Sequence, residues 1–113
     1  VPMQNVATDP LRPAGGRDPV GVEQARQTMR TAYGWLETRL AGRPFLAGEA
    51  FTLADCGAAP GLLYGDWSEP IQATCPVLRA YRARLLARRS VAAVVEAARQ
   101  YRHLFPLGDP GRD

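Results

Sequence analysis

The sequence contains no lysine; all fourteen of its basic residues are arginine. Beside many alanines and glycines this reads as compositional bias, and it fixes every positive charge across the working pH range. Eleven acidic residues leave a net charge of +3, too small to imply a nucleic-acid partner without a clustered surface. Cysteine is scarce too, with only Cys56 and Cys75, and His103 is the single histidine. They offer no metal-ligand spacing and no dense disulfide framework, so reduced thiols in a cytoplasmic protein are the simpler reading. No apolar run approaches the roughly 18 residues of a membrane span. No basic segment followed by an apolar run opens the chain, so a signal peptide is not expected. Valine at position 1 leaves open a processed product or a piece of a longer protein. Gly15-Gly16 lacks the preceding strand and later glycine of a dinucleotide site. Nothing alternates as a strand ladder does.

What is present is helical. The chain of 113 residues, 46% apolar, is one domain's worth with a single modest core. Its organising stretch is Phe51-Thr52-Leu53-Ala54-Asp55-Cys56. Thr52 is placed as an N-cap, and Asp55, three positions on, can reach back to the Thr52 N–H as a capping box. The negative charge also suits the positive end of the helix dipole. Phe51 and Cys56 occupy the two positions that a hydrophobic staple joins. The next stretch, Cys56 to Tyr64, has no charge for nine residues, which predicts a central helix covered on nearly all sides. Pro60 is expected to bend it, and Gly57 and Gly61 to weaken it or permit close helix approach.

Around this element the pattern predicts three further helices and a weaker one at the start. Val1, Met3 and Val6 carry the weak one. Asp18 as N-cap and Pro19 at the first helical position open the next, whose stripe of Val22, Ala25, Met29, Ala32, Tyr33, Leu36 and Leu40 fits a core-facing arc of roughly 100°. Trp35 is off that stripe, as a packing or interface residue. Phe45 and Leu46 anchor a loop, and Trp67 and Ile71 anchor another. Pro76 opens a helix with Val77, Leu78, Tyr81 and Leu85 inward. Ser90 is placed to cap the last, with Val91, Val94, Val95, Ala98 and Tyr101 as its inner face. The apolar Leu104 to Leu107 folds back. The architecture is all-α, a bundle of four to five helices around the capped one.

The run Gly48 to Cys56, preceded by Trp35 to Leu40 and Arg43 to Leu46, resembles the C-terminal all-helical domain of glutathione transferases, in particular bacterial members. Pro76 to Tyr81 and Leu86 to Val91 fit the same pattern, although the family has proline where Arg89 stands. The resemblance implies a helical domain over residues 1–107; the residues after it, 108–113, are expected to be a disordered tail. It implies that Thr52 and Asp55 form a folding element rather than a catalytic one. Family members begin with a thioredoxin-like domain of roughly 80 residues, which binds glutathione and carries the Ser, Tyr or Cys that activates its thiol. No part of that domain is here, and residues 1–6 correspond to the later part of the helical domain's first long helix. The resemblance thus implies a fragment whose full-length form uses glutathione as co-substrate, pairs as a homodimer and joins the thiol to a small hydrophobic electrophile.

In such relatives the helical domain supplies one wall of the electrophile site, for which Met3, Tyr64 and Phe105 are the candidates here. Large apolar residues at helical spacing are ordinarily core, and that is the bland alternative for each. No catalytic, cofactor-binding or metal residue is expected in this chain. His103 reads as a solvent-facing residue near a helix end. Cys56 lies in a first helical turn, where a thiol can be activated, but its staple position argues burial; Cys75 is expected to be the more accessible. Arg79, Arg82 and Arg89 project to one side of an ideal helix, with Arg84 and Arg88 away from it. Without aromatic interleaving this reads as a solvated face rather than a nucleic-acid surface. The other functional class is a non-catalytic helical interaction module, using Trp35, Trp67 and the arginine-bearing helix.

Overall fold

A computed structural model describes residues 2–113; Val1 of the N-terminal pattern lies outside the described residues. Five helices follow in order: α1 (Pro2–Thr8), α2 (Pro19–Leu40), α3 (Leu53–Ser68), α4 (Pro76–Ala87) and α5 (Arg89–Ala98). Short 3₁₀ turns lie between α1 and α2, and a longer one, Arg99–Leu104, continues α5. Among the described residues the only β-type pairing is an isolated bridge between Phe45 and Gly48. The fold is all-α, as expected.

The helices begin where the local chemistry says they do. Asp18 accepts from the Gly21 N–H at 2.9 Å with Pro19 at the first helical position, which satisfies one free donor and wastes none. The buried stripe of α2 is Ala25, Met29, Tyr33 and Leu40. It meets Ala59 and Leu62 of α3, and Leu78, Tyr81 and Leu85 of α4, with Val6 of α1 at one edge. Leu40, Leu78 and Tyr81 are wholly inaccessible and mark the centre of the core. Gly65 makes the close helix approach: a Cβ there would sit 3.2 Å from the Tyr33 hydroxyl. That hydroxyl donates to the Glu69 carbonyl at 2.8 Å, and Arg26 donates to the Ser68 carbonyl at 2.6 Å, so α2 holds the end of α3.

Several expectations are corrected. The central helix is not covered on all sides. Leu53, Cys56, Gly57, Pro60 and Gly61 lie exposed along one flank, and α3 continues unbroken through Pro60. A proline on the open flank loses one backbone bond without forcing its ring into the core. Gly57 and Gly61 face open space, so neither serves a close approach. The burial of the two cysteines is reversed: Cys75 is buried beside Ile71 and Leu78 in the core, and Cys56 is exposed. The last helix starts at Arg89, so Ser90 lies inside its first turn and no side chain caps it. No residue of α5 is fully buried, and Val94 and Tyr101 point outward, at 68% and 58% exposure.

The arginine run of α4 also differs from a plain solvated face. Arg79 donates twice to the Ile71 carbonyl, at 2.9 and 2.5 Å, and Arg82 donates to the Leu62 carbonyl at 3.1 Å. Arg84 donates to the Pro44 carbonyl at 3.0 Å. Arg88 caps the ring of Phe51 at 3.7 Å. These contacts use the long aliphatic stems and planar guanidinium groups to fasten loops and the later part of α3 onto the helix. Residues 108–113, expected as a disordered tail, include Arg112 and Asp113, which pair with Asp66 and Arg102.

The start of α4 is capped from a distance. Cys75 gives no side-chain bond, and Glu37 of α2 instead accepts from the Val77 and Leu78 N–H groups at 2.9 and 2.6 Å. Glu37→Ala is expected to lower stability by about 1–2 kcal/mol, the value of a cap whose donors are left partly buried. Glu23→Ala, which removes only exposed contacts to Arg30 at 3.5 Å and Gln27 at 3.4 Å, is expected to change it by less than about 0.5 kcal/mol. Urea midpoints of the two variants check the difference.

Candidate functional site

The first turn of α3 forms as its sequence dictates. Thr52 has extended backbone, and its hydroxyl accepts from the Ala54 N–H at 3.3 Å; the Asp55 carboxylate accepts from the Thr52 N–H at 2.9 Å. The capping box is complete. Asp55 does more than cap, because its other oxygen accepts from the Leu46 N–H at 3.1 Å and from the Tyr81 hydroxyl at 2.5 Å. One carboxylate thus joins the 41–52 loop, α3 and α4, and it is completely buried. Cys56, the expected staple partner of Phe51, is exposed. Phe51 lies edge-on to Phe45, with ring centres 5.9 Å apart, and its face is covered by Arg88. Phe51 therefore anchors the loop, while the Cys56 side of the turn stays open.

A cleft of about 270 Å³ lies between the last two turns of α3, the inner side of α5 and the chain after it. Its centre is an aromatic trio. Tyr64 and Phe105 are stacked 6.1 Å apart, and Trp67 stands edge-on to both, at 5.4 and 5.5 Å. Leu63, Val95, Ala98 and Pro106 complete an apolar lining, with Tyr101 and Leu104 at the rim. Arg102 lies 5.3 Å over the Trp67 ring and is paired with Asp113, so its charge is held and partly neutralised. The indole N–H of Trp67 is buried with no acceptor, an orphan donor in the wall of the cleft. The lining is mainly apolar and aromatic, with the Tyr64 and Tyr101 hydroxyls and the Arg102 guanidinium as its other polar groups.

A family model for the C-terminal domain of glutathione S-transferases matches residues 19–84, more than half of the chain. The chain belongs to the glutathione S-transferase C-terminal domain family. No curated protein and no solved structure matches it. The match spans α2, α3 and most of α4, and so includes the capping box; α5 and the aromatic trio's Phe105 lie beyond it. Among the described residues, no group of three or more His, Cys, Asp or Glu side chains is placed to hold a metal, and no helix is long and apolar enough to cross a membrane.

Of the three wall candidates, Tyr64 and Phe105 come together and Met3 does not. Met3 lines a second, almost wholly apolar groove of about 220 Å³ between α1, α2 and α3, with Met29, Leu36 and Ala58. His103 is exposed. Sequence reasoning missed Trp67 and Arg102 as cleft residues. Trp67 lies three positions after Tyr64 on the same helical face, and that spacing was a usable signal. Arg102 gave none, because its place depends on how the chain turns after α5.

Burial alone pushes the Asp55 carboxyl up, but the bonds from Tyr81, Thr52 and Leu46 outweigh it and hold the group below the ordinary carboxylate value. Burial and the same carboxylate push the Tyr81 hydroxyl up, which keeps it a donor. A folded-state value below the unfolded one contributes stability above the ordinary carboxyl range, and that stability is lost as pH falls through the folded value. Asp55→Asn is therefore expected to cost about 3 kcal/mol near neutral pH, where donors lose a charged acceptor. The gap between wild type and variant is expected to narrow as pH is lowered to about 3. Denaturant titrations of both proteins across that range check this.

Proposed function

We propose that the chain is the helical domain of a glutathione S-transferase-like enzyme and that its cleft forms the apolar wall against which a small hydrophobic electrophile is held. The observation that carries this reading is the stacking of Tyr64 on Phe105 with Trp67 against both, around an open space of about 270 Å³. Flat aromatic walls select partly or wholly aromatic molecules by area and offset stacking rather than by directed bonds. Activation of the glutathione thiol is assigned to a preceding thioredoxin-like domain, as membership of the family implies. Tyr64 and Phe105 are the wall residues of the proposal, and Met3 is left to the second groove. That groove and the 65% exposed Trp35 are assigned to the surface that meets the other domain or a second copy in the full-length homodimer. A cytoplasmic setting accompanies the reading, in keeping with two free thiols.

The division of labour is tested with the 113-residue chain itself. In a Trp35→Phe background Trp67 is the only indole, and a nitroaryl halide is expected to quench its fluorescence saturably. Phe105→Ala is expected to weaken that binding about fivefold, the value of one aromatic contact. No conjugation of glutathione above the uncatalysed rate is expected from the chain alone. Absence of saturable quenching would remove the cleft from the proposal, and turnover by the isolated chain would overturn the assignment of the chemistry to another domain.

A further inference from the structure

A second depression opens between the end of α3, the 69–75 loop, α4 and the C-terminal residues, and shares no lining residue with the aromatic cleft. It measures about 440 Å³ and is lined by Asp66, Pro70, Ile71, Arg79, Arg82 and Arg112. Three guanidinium groups and one carboxylate leave an excess of two positive charges. The contacts that hold the arginines do not cancel them. Arg79 is fastened by Nε and Nη2 to the Ile71 carbonyl, and Arg82 by Nε to the Leu62 carbonyl and by Nη2 to that of Leu63. Carbonyl oxygens orient a guanidinium without supplying a countercharge. Asp66 is shared between Arg82, at 3.7 Å, and Arg112, while its other oxygen accepts from the Ile71 N–H at 2.8 Å. Arg79 has no carboxylate partner among the described residues. Asp113 is committed to Arg102 and Arg99.

Assembling this charge is unfavourable without an anion. The Arg82 side chain is only 12% exposed, and its burial and the nearby Arg112 both oppose its charge, with Asp66 the main offset. A surface arginine cluster normally disperses into water; here two of the three heads are tied down on neighbouring backbone. In Arg79 and Arg82 the tying bonds use Nε and Nη2, so Nη1 of each remains for another acceptor. Oriented donors around a fixed excess charge match a compact oxyanion, which takes several short charge-assisted bonds at once.

We propose that this depression is a binding site for a doubly charged oxyanion of the phosphate-monoester class, held by Arg79, Arg82 and Arg112. A phosphate monoester carries about −1.5 to −2 charge near neutrality and three acceptor oxygens, which balances the excess and uses the free donors. Asp66 then sets the arginine geometry and excludes anions too weakly charged to compete with it. Arg112 comes from the C-terminal residues, so occupancy also fixes that segment against the body.

Inorganic phosphate, titrated against sodium chloride at matched ionic strength, tests the site by calorimetry and by thermal melting. Saturable heat and a rise in melting temperature with phosphate but not chloride are expected. Arg79→Gln and Arg112→Gln are each expected to weaken phosphate binding about tenfold, the loss of roughly one charge-assisted bond. Arg112 lies outside every helix, so its variant keeps the test open even if Arg79→Gln lowers stability by freeing the Ile71 carbonyl. Glycerol phosphate in solution and vesicles bearing phosphatidic acid separate a soluble ester from a lipid headgroup as the natural source; arginine-dependent binding of either supports the site. Equal response to phosphate and chloride would overturn it, as would variants that bind phosphate like wild type. Binding of a single-stranded oligonucleotide without any response to inorganic phosphate would also overturn it, in favour of an extended polyanion surface.

Discussion

The fold depends on one buried carboxylate. Asp55 has no exposed surface, yet it accepts from Thr52, Leu46 and Tyr81, which belong to a helix cap, a loop and a different helix. Burying a charge is costly unless its lone pairs are filled, and here they are. The result is a fixed register among three segments that hydrophobic contact alone would leave free to slide. The T-shaped pair of Phe45 and Phe51 and the covering Arg88 continue the same junction outward. From it α3 extends toward its far end, where the aromatic cleft and the arginine-lined depression lie on different sides of Asp66 and Trp67.

A second device repeats the principle with the roles exchanged. Glu37, in the last turn of the longest helix, supplies the cap that the start of α4 lacks. Tyr33 and Arg26, from the same helix, satisfy carbonyls at the end of α3. The long α2 thus serves as a strut that completes the ends of its neighbours, and its own apolar stripe fills the space between them. Helix ends are where backbone groups lack partners, so polar bonds there give direction to packing that is otherwise non-directional.

What could be read from the sequence was the local chemistry. The caps at Asp18 and Thr52, the proline starts of α2 and α4 and the inward stripe of α2 all depend on residues within a turn or two of one another. Contacts that cross long stretches of chain were not legible. The bond from Tyr81 to Asp55 spans 26 residues, and that from Val77 to Glu37 spans 40. The same gap explains the misplacements. An uncharged run predicts burial only if neighbours exist on every side, and this bundle leaves one flank of α3 bare. Cys56 falls on that flank. Cys75, immediately before a helix-opening proline, looks like a loop residue until Ile71 and Leu78 close over it. The cleft was half legible: Tyr64 and Phe105 were candidates, whereas Met3 turned out to line other space.

The two thiols also differ in a way that makes the molecule easy to observe. One sulfur is sealed among aliphatic neighbours and the other stands in the open at the first turn of the central helix. The folded chain therefore offers a single handle for a spin probe or dye, located one residue past the carboxylate that fastens three segments together. Loosening of that junction would be reported at its source, without any engineered cysteine.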